Sequence, residues 1–208
     1  MTRWQFYVGL LVSLVAVLAF SDIGGDWMQD GWADLELWLA QPILRWRSAP
    51  LTLLARGLTS LGSFAALTLL VMVCQVQPHA RLGGRDKAVL LALSMGQGAL
   101  NSLLKLWFGR PRPGLDYSPL VEERYYSFPS GHTMSSLCIY GFLCYLWVRR
   151  RPSRAPSKVA LAAALVMSIG ISRVYLSAHY PGDVLGGFAA GWPCLFLAMV
   201  VHAGLKRK

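Results

Sequence analysis

Six long apolar runs, separated by short polar loops, constrain this chain more than anything else in it. The first covers residues 4–20, and at ~1.5 Å per residue a helix of that length crosses most of a ~30 Å hydrocarbon core. Others follow at about 50–76, 88–107, 131–148 and 159–177, and the last leaves a tight turn at 180–182 and runs to about 203. The apolar residues come in blocks rather than at amphipathic spacing. With 55% of the 208 residues hydrophobic and 14% charged, this is the composition of a polytopic membrane protein. The expected fold is all-α, six transmembrane helices in one bundle. No Ser/Gly/Pro-rich linker, low-complexity tract or internal repeat divides the chain, so residues 1–208 are read as a single domain.

The first run has a rival reading as a signal peptide, since Ala19 and Ser21 are small residues at cleavage-like spacing. It is longer than a usual signal core and has only Arg3 before it, so a retained helix is expected. Asp22, Asp26, Asp30 and Asp34 then stand four apart. Gly24, Gly25 and Gly31 argue against a helix there, and a solvated outer loop is expected in preference to a cation-binding stripe. Trp32, Leu35, Trp38, Leu39, Ile43 and Trp46 recur at steps of three and four, which describes an interfacial amphipathic helix anchored in the headgroup layer by tryptophans. Pro50 suits a first helical position, and Arg56 is placed to snorkel rather than to face a site. Cys74, Cys138, Cys144 and Cys194 all fall inside apolar runs, so no disulfide and no zinc cluster is expected.

The net charge of +10 invites a nucleic-acid partner. The basic residues, however, sit in short loops and make no stacked basic and aromatic stripe, and the lipid bilayer explains them better. Six spans put both termini on one side. That side then collects Arg3, the loop with Arg81, Arg85 and Lys87, the five basic residues from Arg149 to Lys158, and Lys206, Arg207 and Lys208, twelve of the twenty Lys and Arg. The positive-inside rule makes it the cytoplasmic side.

The same parity brings the end of span three, the start of four, the end of five and the start of six to the outer face. Those ends carry the unusual residues: Lys105, Arg112, Ser130, His132, Arg173, His179 and Asp183. Ionisable groups at a membrane edge are a functional-site hypothesis by default. Three cations suit an anion with several oxygens, arginine for bidentate contact and lysine as a point charge, and phosphate is the obvious candidate. Pro129-Ser130-Gly131 adds a helix N-terminus, whose free N–H groups favour an anion, with Ser130 able to cap the helix or donate to phosphate. Two histidines allow nucleophile and acid/base roles to be divided. Pro181 opens span six, so Asp183 falls in its first turn and can reach back to His179 and set its tautomer. His179 is then the nucleophile and His132 the acid. His79 and His202, on the other side, receive no role.

These residues resemble the three-part signature of the type 2 phosphatidic acid phosphatase (PAP2) superfamily, in its bacterial membrane lipid phosphatase branch. The first part, K-x6-R-P, is Lys105 through Arg112-Pro113; the second, P-S-G-H, is Pro129 to His132; the third, S-R-x5-H-x3-D, is Ser172, Arg173, His179 and Asp183. The resemblance implies that Lys105, Arg112, Ser130, Gly131 and Arg173 bind phosphate, that His179 becomes phosphorylated, that His132 serves as general acid and then base, and that Asp183 orients His179. It also implies that no metal or other cofactor takes part.

Soluble vanadium haloperoxidases share this anion cradle, and the six spans separate the chain from them. A site opening at the outer headgroup layer suits a membrane lipid phosphate. The candidate substrates are undecaprenyl diphosphate, toward which compactness and short loops lean, then phosphatidylglycerol phosphate, phosphatidic acid and the phosphates of lipid A. A lipid phosphotransferase would use the same residues, with a hydroxyl in place of water at the second step. A lipid-binding scaffold with a decayed site would lack one of them, and none is missing.

Overall fold

The apolar runs fold as helices, as their length and composition demand. In the computed structural model, which describes residues 3–27, 33–77, 82–114, 117–121, 123 and 125–204, there are eight helices and no strand among the described residues. They are α1 (Arg3–Trp27), α2 (Ala33–Arg45), α3 (Ala49–Leu61), α4 (Phe64–Val76), α5 (Gly84–Phe108), α6 (Gly131–Arg150), α7 (Ala155–Tyr175) and α8 (Pro181–Gly204). Asp30, Gly31, Trp32, His79, Arg81, Lys206, Arg207 and Lys208 lie outside the described residues, as does the side chain of Asp26.

Two expectations are corrected. The segment after residue 20 is not a loop from its start: α1 continues through Asp22, Gly24 and Gly25 to Trp27. Gly24 is buried, and a Cβ there would come within 2.6 Å of the Phe108 ring. Its job is close approach to the end of α5, where Phe20 also stacks on Phe128 at 5.2 Å. The second apolar run is two helices, α3 and α4, bent by 46°. Gly62 caps α3, and Ser63 starts α4 by accepting from the Ala66 amide at 3.2 Å. The helices otherwise extend a few residues into the basic loops, where polar side chains still favour helix.

Four helical segments, Arg3–Gly25, Gly84–Phe108, Ala155–Tyr175 and Pro181–Gly204, are long and apolar enough to cross a membrane, and the bent α3–α4 pair makes a fifth. Helices α6 and α8 are the two hubs: α8 packs against α1, α2, α5, α6 and α7, and α6 packs against α4, α5, α7 and α8, with Cys138, Ile139, Phe142 and Leu146 buried in the main core. Gly187 and Gly191, four apart on α8, let that helix lie directly against α6; a Cβ at Gly187 would stand 2.8 Å from the Ser130 carbonyl oxygen. Helix α2 turns one face inward and leaves Trp38, with Trp46 just past its end, on the outside. Glu36 and Ala40 are buried, while Trp38 and Trp46 are 68% and 74% exposed.

Candidate active site

The ends of α5 and α7, the starts of α6 and α8, and the described loop residues between α5 and α6 meet at one end of the bundle. Backbone bonds lock them together: the Ser130 amide donates to the Asp183 carbonyl at 2.9 Å, and the Ser127 amide to that of Arg110 at 2.7 Å. Arg47, just past α2, adds a clamp by donating to the carbonyls of Tyr175, Tyr117 and Ser118 and to Ser177 Oγ.

His179 sits at the centre, in the turn before α8, and is buried. Its Nδ1 lies 3.2 Å from Asp183 Oδ2, and its Nε2 lies 3.4 Å from Arg112 Nη1. Asp183 is buried as well, and its oxygens are shared out. Oδ2 accepts from Ser127 Oγ and from the Tyr180 amide at 2.9 Å, and Oδ1 accepts from Arg110 Nη1 at 2.7 Å. Burial drives the His179 imidazole down to about 4; Asp183 opposes this, and the Arg173 and Arg112 charges reinforce it. The ring is therefore neutral at neutral pH, with Nδ1 placed to donate to the carboxylate and the Nε2 lone pair directed toward Arg112.

The three signature cations surround this ring unequally. Arg173 is buried, donates to Thr59 Oγ1 at 2.7 Å and pairs with Glu123. Arg112 reaches the other Glu123 oxygen at 3.6 Å and donates to the Ala178 carbonyl at 2.7 Å. The Glu123 carboxylate thus bridges the two guanidiniums. Burial would raise its carboxyl, but Arg173 and Arg112 outweigh this and keep it below the ordinary glutamate value. Lys105 donates to the carbonyls of Tyr126 and Ser127, the latter at 3.2 Å.

His132, in the first turn of α6, is half-buried beside Gly62 at the α3–α4 break, within electrostatic reach of Arg173, His179 and Glu123. Of the two uses open to Ser130, capping is the one seen: its Oγ accepts from the Thr133 amide at 3.4 Å and from Thr133 Oγ1 at 3.1 Å. Gly131 lies against the Asn101 side chain. Arg56 stays exposed and contacts the Leu120 carbonyl at 3.4 Å, apart from the cradle. His202 is near the other end of α8, ~28 Å from Asp183 at 1.5 Å per residue.

Sequence reasoning missed Arg110, Glu36, Ser127, Glu123 and Thr59. Two signals were available. Arg110 repeats the Arg-Pro pattern of Arg112-Pro113, and Glu36 is an acid on the face of α2 that also carries Ala40 and Ile43.

Comparison with known proteins identifies the family. The family model of the PAP2 superfamily matches residues 87–207. Phosphatidylglycerophosphatase B of Bacillus subtilis is 35% identical over 154 residues, covering 73% of this chain and 75% of that protein. A lipid A 1-phosphatase of Rhizobium etli is 33% identical over 122 residues, 54% of this chain and 49% of its own length. Among solved structures, the transmembrane PAP2 type phosphatidylglycerolphosphate phosphatase from Bacillus subtilis superposes with a TM-score of 0.85 at 29% identity, over 94% of this chain and 98% of that one. The helical fold, the signature residues gathered at one end of it, and these similarities lead to one conclusion: the chain belongs to the PAP2 superfamily and is a phosphatase, a phosphoric ester hydrolase.

Proposed function

We propose that this phosphatase removes a phosphate from a membrane lipid by way of a phosphohistidine on His179. The placement of His179 carries the reading, with a carboxylate at Nδ1 and a guanidinium at Nε2. Asp183 holds the tautomer that leaves Nε2 nucleophilic, as in a triad. The phosphate takes the place of the Glu123 carboxylate between Arg112 and Arg173, with Lys105 as third cation. Gly131, at the N-terminus of α6, offers its end of the helix dipole, and Ser130 steadies that end as its cap. Attack of Nε2 on phosphorus breaks the bond to the lipid oxygen, which His132 protonates. His132 then takes a proton from the water that hydrolyses the phosphohistidine.

In this reading α6 is also a span, which brings their number to six. Its twenty residues reach ~30 Å, and its polar side chains face other helices rather than lipid. Helix α2, with Trp38 and Trp46 outward, lies in the headgroup layer beside the site. The basic loops keep both termini in the cytoplasm of an inner membrane, so the site faces outward. Phosphatidylglycerol phosphate is favoured as substrate ahead of undecaprenyl diphosphate, because the Bacillus subtilis phosphatase combines 35% identity with a structural match over 94% of this chain. Phosphate release from a panel of these lipids in detergent ranks them. With a radiolabelled lipid phosphate, His179→Ala is expected to lose both turnover and the acid-labile phosphoenzyme; normal turnover in that variant disproves the mechanism.

A further inference from the structure

Arg110 and Glu36 are 4% and 3% exposed, and both are ionisable. The Arg110 guanidinium makes a two-point pair with Glu36, Nη2 to Oε2 and Nη1 to Oε1 at 3.1 Å. Its Nη1 also donates to Asp183 Oδ1 at 2.7 Å, and its Cζ lies 4.1 Å from the centre of the Tyr180 ring. Glu36 Oε1 in turn accepts from the Gly182 amide at 3.1 Å, in the first turn of the helix that carries Asp183. Three ionised groups buried at one point are expensive to desolvate, and apolar residues of the same volume would often stabilise a fold as well.

The arrangement has a consequence for Asp183. Its Oδ2 faces His179, Ser127 and the Tyr180 amide, and because rotation about the Cβ–Cγ bond moves both oxygens together, Oδ2 is fixed more firmly when Oδ1 is held too. Arg110 holds it. Asp183 and Glu36 against Arg110 leave one net negative charge, which complements the positive charge that His179 acquires as the N–P bond forms. Pro111 and Pro113 restrict the backbone of the residue before each, and Arg110 and Arg112 end on opposite sides of the His179–Asp183 pair.

We infer that Arg110 and Glu36 are positioning residues: Glu36 fixes Arg110, Arg110 fixes Asp183, and the aim of His179 is thereby tied to helix α2. The inference rests on the reading of His179 as nucleophile and Asp183 as its orienting carboxylate.

The test measures kcat, KM and Tm for phosphate release by Arg110→Met, Glu36→Gln and the double variant Arg110→Met/Glu36→Leu. Outer partners that orient a reactive histidine's support typically supply roughly 10- to 100-fold in activity, and Arg110→Met is expected to lose kcat by that factor with KM within about twofold. Its Tm falls too, because Glu36 and Asp183 are left without their cation. The double variant removes Glu36 as well and is expected to recover Tm while kcat stays low. Glu36→Gln, which keeps the shape and the Gly182 bond, gives a smaller kcat loss and carries the test if Arg110→Met does not fold. Recovery of kcat together with Tm in the double variant, or wild-type kcat in Glu36→Gln, overturns the inference. His179→Ala and Asp183→Asn run alongside: if they retain activity the reading of the site itself fails, whereas their inactivity beside a fully active double variant sinks only the positioning role.

Discussion

His179 is the residue whose chemistry depends most on where it is buried. An ordinary histidine titrates near 6.5, but burial and the nearby guanidiniums bring this one to about 4. In the proposed mechanism the nucleophile is then lost only when pH falls through about 4. The acid limb of kcat/KM, corrected for the substrate's own ionisation, is expected there, and a limb at 6.5 contradicts the assignment. The same shift acts on stability. Between about 4 and 6.5 the unfolded chain binds the proton and the folded one does not, so this group's contribution rises with pH across that window and is lost as pH falls through it. Glu123 makes a second expectation. Glu123→Gln removes a charge from between Arg112 and Arg173. Inorganic phosphate, which in the proposed mechanism competes for the same cations, is expected to inhibit about fivefold more tightly, equivalent to ~1 kcal/mol. Unchanged product inhibition places phosphate elsewhere.

Among the elements, α6 and α8 matter most, because each starts in the site and each needs the other's surface. The contact is close at Gly187, whose added Cβ would meet the Ser130 carbonyl at 2.8 Å and Thr133 Cβ at 2.9 Å. Backbone cannot step aside as a side-chain tip can. Gly187→Ala is expected to cost about 1–3 kcal/mol by overpacking, read as a lower Tm, and to reduce activity by shifting the turn that holds His132. Gly57, on α3, has open space around its Cβ position. Gly57→Ala is expected to raise stability by about 0.5–1 kcal/mol, through helix propensity alone. Equal melting behaviour of the two variants would remove the argument from contact.

Seen whole, the molecule has a polar cluster at each end of its long helices. Opposite the site, Asp86 at the start of α5 pairs with Arg150 at 2.5 Å and with His202 Nε2 at 2.6 Å, and Tyr145 Oη lies 3.1 Å from His202 Nδ1. This ties together the far ends of the three helices, α5, α6 and α8, that carry Lys105, His132 and Asp183. Asp86→Ala is expected to lower stability by about 1–3 kcal/mol, the range for a lost hydrogen bond to a charged group. Phosphatase kcat and KM are expected to stay within about twofold, since the helices separate the two clusters by ~28 Å. A large kcat loss without a Tm change would point to coupling between the ends.

Much of this was legible in the chain itself. Apolar blocks that as helices come close to the thickness of a bilayer core leave helix as their outcome, and Lys105, Arg112, His132, Arg173, His179 and Asp183 stand at run ends that crossing parity alone brings to one face. Asp183 to His179 is a local contact, four residues apart, so one turn of helix suffices to read it. Other features needed the tertiary structure. Glu36 and Arg110 are 74 residues apart and Glu123 and Arg173 are 50 apart, and ion pairs at such separations leave no periodic trace. The helix through Gly24 is held by Phe108, 84 positions away (108 − 24), against the local preference of glycine. Local spacing records what one helix does with its own neighbours. Which buried charge meets which is decided only when the helices pack, because the cost of leaving a charge alone is felt only once water has gone.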